Sequence, residues 1–170
     1  MIERCFVRRN RAVQLHELTD LVAVRAQATP DAPRLESTIP ESVARQLSGS
    51  QVEAFEQAGW AFQEPSSREL PEDAPRAKVF VKPDGRLALS TNTLTVQLRD
   101  DPSKEEANAL LDPYGCRVLE QLTFATGLFR VAVTDQAQGD ALDVANQLMD
   151  SGLVEFAEPE LIEEIGQRSP

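Results

Sequence analysis

The stretch LTVQLRDDPSKEEANALLDPYGCRVLEQLTFATGLFRVAVTDQAQGDALDVANQLMDSGLVEFAEPELI, residues 94–162, decides the fold, because almost every segment in it carries its own boundary signal. Residues 94–98 alternate Leu94, Val96 and Leu98 with Thr95 and Gln97, the period of a strand with one buried face. Ser103, Lys104, Glu105 and Glu106 then fit a capping box, in which hydroxyl and carboxylate satisfy free backbone donors at a helix start. The helix over 104–112 places Ala107, Leu110 and Leu111 on one face, and Pro113 stops it by lacking an amide donor. Residues 117–122 read as a second strand, 123–127 as a turn, and 128–133 as a third strand that alternates Phe129, Val131 and Val133 with Leu128, Arg130 and Ala132. Asp140 N-caps a helix over 141–149 whose stripe is Ala141, Val144, Ala145 and Leu148, and Gly152 stands where that helix ends. A fourth strand over 154–157 ends at Pro159.

The order is β-α-β-β-α-β. It predicts a ferredoxin-like split βαβ domain: an antiparallel four-stranded sheet with two helices on one face and the other face open to a partner. Such a fold hosts many unrelated activities, so it does not by itself name a function.

Working outward, EPSSRELPEDAP at 64–75 reads as a linker, and Pro-rich punctuation recurs at 28–33. The chain is therefore expected as α+β throughout, with a smaller hairpin-plus-helix part over 1–63, the ferredoxin-like domain over 76–165 and a flexible tail over 166–170. Both parts open alike. A shift of 74 sets Phe6 against Phe80, Val13 against Leu87, Leu15 against Leu89, Val24 against Leu98 and Arg25 against Arg99. Two hairpins with apolar alternation align this way whether or not they are one repeated unit. Pro83, Asp84 and Gly85 supply hairpin-turn chemistry in the second copy. In the first part, Thr38 to Glu41 and Ser50 to Glu53 fit further capping boxes, and Gly59 a helix end.

Charge and residue inventory narrow the function. A net charge of -11 argues against binding nucleic acid or an anionic membrane, both of which need Lys and Arg against phosphate. From Asp135 onward nine acidic residues face one base, Arg168, which favours a neutral or basic partner. No 18-residue apolar run and no signal-peptide core are present, so the chain is expected in the cytoplasm. Cys5 and Cys116 are expected reduced and partly buried in strands. His16 is the lone histidine, expected in an exposed turn; with two distant cysteines it cannot make a usual zinc site, and it has no Ser segment to serve. No phosphate-binding glycine loop occurs, Trp60 is expected to pack, and neither enzymatic activity nor cofactor nor metal is expected.

The motifs LTVQLRDD, the acidic capped helix, the Tyr114-Gly115 turn into a strand and above all SGLVEFAEPELI at 151–162 resemble the N-terminal prodomains of bacterial subtilisin-like serine proteases. The likeness covers about 79–165. It implies a chaperone and inhibitor of a protease domain, from the same precursor or a separate chain, whose cleft takes the segment leaving the last strand by strand addition. The resemblance assigns that role to Glu158, Pro159, Glu160, Leu161, Ile162, Glu163, Glu164 and Ile165, with Leu161, Ile162 and Ile165 filling subsites and the glutamates meeting helix N-termini of the enzyme. No protease domain follows in this sequence. A non-catalytic docking module that uses the open sheet face is the competing expectation, and the sequence leaves the oligomeric state open.

Overall fold

The computed structural model describes residues 2–9, 11–25, 37–66 and 76–163. These form, in chain order, β1 (Ile2–Arg8), β2 (Arg11–Arg25), α1 (Glu41–Ala44), α2 (Gly49–Gln57), β3 (Trp60–Gln63), β4 (Arg76–Val81), β5 (Leu87–Leu98), α3 (Lys104–Leu111), a 3-10 turn (Asp112–Tyr114), β6 (Cys116–Gln121), β7 (Leu128–Val133), α4 (Ala141–Ser151) and β8 (Val154–Glu163). The class is α+β, an open antiparallel sheet of eight strands with four helices. Residues 28–33, positions 67–75 of the expected linker and the tail 166–170 lie outside the described residues.

Contacts divide the described residues into two compact units. One unit contains Arg4–Gln14 and Asn92–Glu160; the other contains the described part of Leu15–Thr91 with 2–3 and 161–163. The sequence placed the boundary at 64–75, whereas the contact division falls inside β5, and residues 4–14 group with the C-terminal helices. The reason is side-chain chemistry far apart in sequence: Arg4 reaches Asp140, and Asn146 donates to the carbonyl of Cys5 (3.0 Å).

In the second unit the strand order is β8-β5-β7-β6, with α3 between β5 and β6 in sequence and α4 between β7 and β8. Thr93–Gln97 pair with Ala132–Leu128, and β7 pairs onward with β6, which bulges between Val118 and Glu120. Alternation along the strands sends Leu94, Val96, Leu98, Phe129 and Val131 into one core with Ala107, Leu111, Val144 and Leu148. Each such Leu or Val contributes about 1.5–3 kcal/mol by burial. At Ser103 half of the expected capping box forms, its hydroxyl accepting from the amide of Glu106, and Asp140 caps α4 as expected, with Asp143 completing a reciprocal capping box. The helix expected to reach 112 yields at Leu111 to the 3-10 turn carrying Pro113, and Gly115 closes that turn at φ 75°. A Cβ at Gly115 would collide with the backbone of Ala137, so only glycine fits there.

Three strands of this unit differ from expectation. Strand β6 spans Cys116–Gln121 rather than 117–122, the separate strands expected at the end of the hairpin and at 94–98 are one strand, β5, and β8 continues through Pro159 to Glu163 instead of ending near Ala157. Proline lacks an amide but keeps an extended φ, so it can sit in a strand wherever no ladder donor is needed.

In the first unit, Val22–Arg25 of β2 pair with Trp60–Gln63 of β3, and β4 pairs with β2 and β5. The β4–β5 turn forms as expected, with Gly85 donating to the carbonyl of Lys82 and Asp84 Oδ1 accepting from the amide of Arg86. Leu18, Leu21, Val43, Phe55, Phe62, Val79 and Leu89 make the core, Phe55 meeting Phe62 edge-on at 6.2 Å. Trp60 packs there too, as expected. The caps expected in this part do not form. Helix α1 starts after Pro40 and α2 after Ser48, neither with a side-chain cap bond; Ser50 lies inside α2 and Thr38 donates its amide to Phe62. His16 is a half-buried strand residue of β2 opposite Val81, not a turn residue. Both hairpins bury the residues that the 74-residue shift matches: Phe6 and Phe80, Leu15 and Leu89, Val24 and Leu98.

Candidate functional site

Strand β8 carries most of the segment singled out in the sequence, and the structure holds it in place rather than leaving it loose. Because β5 and β7 bury every second side chain against α3 and α4, Thr93, Thr95 and Arg130 take the opposite face. There they converge on Glu160. Its carboxylate accepts from Thr93 Oγ1 (2.9 Å), Thr95 Oγ1 (3.2 Å) and Arg130 Nε (2.9 and 3.0 Å to the two oxygens). Charge-assisted bonds of this kind are stronger than neutral ones, although the pair remains part-exposed and screened by water. Glu158 accepts from the amide of Arg9 (3.2 Å), a residue with φ 49° at the end of the first hairpin strand.

The remaining segment residues divide. Pro159 is buried, Leu161 is half-buried and Ile162 is 36% exposed. In the first unit Glu163 pairs with Lys82 Nζ at 3.6 Å. Glu164 and Ile165 lie outside the described residues. Backbone pairing of β8 with β5 already engages one edge of the segment expected to add to a protease edge.

One feature of this unit escaped sequence reasoning. Arg4 grips Asp140 with both guanidinium ends (Nη1 to Oδ2 3.0 Å, Nη2 to Oδ1 2.6 Å) and reaches Asp143 at 3.1 Å, so the two carboxylates of the α4 capping box share one cation. Asn92, at φ 68°, accepts from the amide of Ala141 and thereby satisfies another first-turn donor of α4. Asp140 is legible in the sequence as an N-cap, but the reciprocal bond from Asp143 is not, and nothing near Arg4 marks a partner 136 residues away.

Of the two cysteines, Cys116 is buried and Cys5 is exposed on β1, where partial burial was expected; both are free thiols. Burial pushes the Cys116 thiol up to about 11, which keeps it protonated and a poor nucleophile at neutral pH. No helix among the described residues is long and apolar enough to cross a membrane. No family model, no curated protein and no solved structure matches this chain.

Proposed function

We propose that the second unit is a ferredoxin-like split βαβ domain acting as a prodomain-like module, one that assists folding of a subtilisin-like serine protease and inhibits it. The observation that supports this reading best is the strand order β8-β5-β7-β6 with its two intervening helices, which ends in a ten-residue extended strand. A segment already extended and fastened through Glu160 loses less conformational entropy on entering a cleft than a free tail does. Under this reading Leu161, Ile162 and Ile165 fill subsites, and the role needs no cofactor, metal or catalysis by this chain.

A second reading is favoured by a specific contact. Glu160 sits among Thr93, Thr95 and Arg130 of its own sheet, so its charge is largely answered before any partner arrives. That suits a non-catalytic module docking through the sheet face. The test is inhibition of a panel of purified bacterial subtilisin-like protease domains by the full chain and by a chain ending at Glu163. Prodomain-like action predicts inhibition at micromolar concentration, weakened about 10-fold or more by the truncation. Binding that leaves proteolysis unchanged, with or without 164–170, supports the docking reading instead.

A further inference from the structure

At the end of the second unit where β5 and β6 finish and β7 and β8 begin, the chain holds a bulky aromatic out in water. Phe124, in the turn between β6 and β7, is 82% exposed. The turn is nevertheless tightly fixed. The carbonyl of Gly127 accepts from the amide of Leu98 (2.8 Å), the carbonyl of Thr126 accepts from the side-chain amide of Gln97 (2.9 Å), and Leu122 donates to Leu128 (2.8 Å). Gly127 has φ 69°, and a Cβ there would press on the carbonyl oxygen of Leu98, so the turn and β5 approach as closely as only glycine permits. Gln97 belongs with Thr93 and Thr95 on the sheet face away from the helices, which ties the turn to that face.

The residues that follow β5 carry exposed charge. Asp100 and Asp101, both exposed and both at positive φ, follow directly on the strand that holds the turn. Arg99 next to them is engaged by Glu155 (3.0 Å) and by the carbonyl of Gly152 (3.1 Å), leaving Lys104 as the exposed base at the start of α3. With a net charge of -11, a second copy of this chain would be repelled from such a surface.

We infer that the β6–β7 turn is an anchor: Phe124 inserts into an apolar pocket rimmed by Lys or Arg on the protease domain, with Asp100 and Asp101 facing the basic rim. This rests on the protease reading and adds to it a contact away from the cleft. Anchors of this type are large, preorganised side chains ringed by polar residues, and a few of them carry most of the affinity of an interface.

The experiment measures affinity and association rate of the full chain for each inhibited protease domain of the panel, its catalytic serine replaced by alanine. Phe124→Ala should weaken binding about 10- to 100-fold, with an unchanged melting temperature because the side chain contributes little to the core. Asp100→Asn with Asp101→Asn should slow association several-fold at low salt, an effect that fades as salt is raised. Unchanged affinity of Phe124→Ala in a chain that does inhibit overturns the anchor and leaves the inhibitory reading standing. Absence of binding by the unaltered chain across the panel overturns both, and an unaltered association rate for the double Asn variant removes the basic rim.

Discussion

Helices α2 and α4 are of similar length and each packs on strands of its own unit, yet they are held by different means. Helix α4 begins with a reciprocal Asp140–Asp143 cap, shares Arg4 with a distant hairpin, and buries Ala141, Leu142, Val144, Ala145 and Leu148. Helix α2 begins at Ser48 without a side-chain cap bond and buries Val52 and Phe55 alone. One helix is fixed at its end and along its stripe; the other rests on two buried side chains, the aromatic contact with Phe62 and the bond from the amide of Leu87 to Gln51 Oε1 (3.0 Å). The difference teaches that packing holds both helices, whereas end chemistry holds only α4.

Core truncation tests the shared half of that comparison and should give the largest effects. Phe55→Ala is expected to cost about 3–5 kcal/mol and Leu148→Ala about 2–5 kcal/mol, since both side chains are buried in a core. Urea denaturation followed by far-UV circular dichroism measures both, and fluorescence of Trp60, the single tryptophan, reports on the first unit. A cost below about 1 kcal/mol for Phe55→Ala would mean that α2 does not rest on it.

Cap removal tests the half that separates them. Asp140→Ala should cost about 1–3 kcal/mol, because it removes the cap and the paired bonds that Arg4 makes to this carboxylate. Ser103→Ala, with one cap bond to the amide of Glu106, should cost about 1 kcal/mol. Ser50→Ala in α2 should stay within about 0.5 kcal/mol. Equal losses at Ser50 and Asp140 would erase the distinction between α2 and α4.

The smallest effect is chemical rather than energetic. With its thiol pushed up to about 11 by burial, Cys116 should resist alkylation at pH 8 while exposed Cys5 reacts, giving one fast thiol in the folded chain and two after unfolding. The same shift makes the folded state hold a proton that the unfolded thiol has lost. Its contribution to stability is therefore complete below about pH 9 and falls away as pH rises toward 11.

The second unit was the more legible in sequence because its signals are local. Ser103, Asp140, Pro113 and Gly152 each mark an end by their own chemistry, and the alternation in 94–98 and 128–133 fixes which face is buried. In the first unit Ser50 and Thr38 offered the same letters without the geometry. A capping hydroxyl acts only if the backbone turns into the helix at that residue, and here it turns at Ser48 and Pro40. The candidate site is half legible: the sequence singles out residues 158–165, of which 158–163 are described, but not that Glu160 folds back on Thr93, Thr95 and Arg130, because those contacts span up to 67 residues and leave no periodic trace. The role of Arg4 was hidden for the same reason. Strand β8 runs past the end that Pro159 suggests, because in an extended strand proline costs only one donor.

The most direct measurement of the central claim is the residual activity of bacterial subtilisin-like protease domains titrated with the full 170-residue chain and, in parallel, with the chain ending at Glu163. The prodomain reading predicts that the full chain suppresses proteolysis at micromolar concentration and that the shortened chain, with β8 intact, does so at least about 10-fold less well. Full activity of every protease in the presence of the intact chain would contradict it.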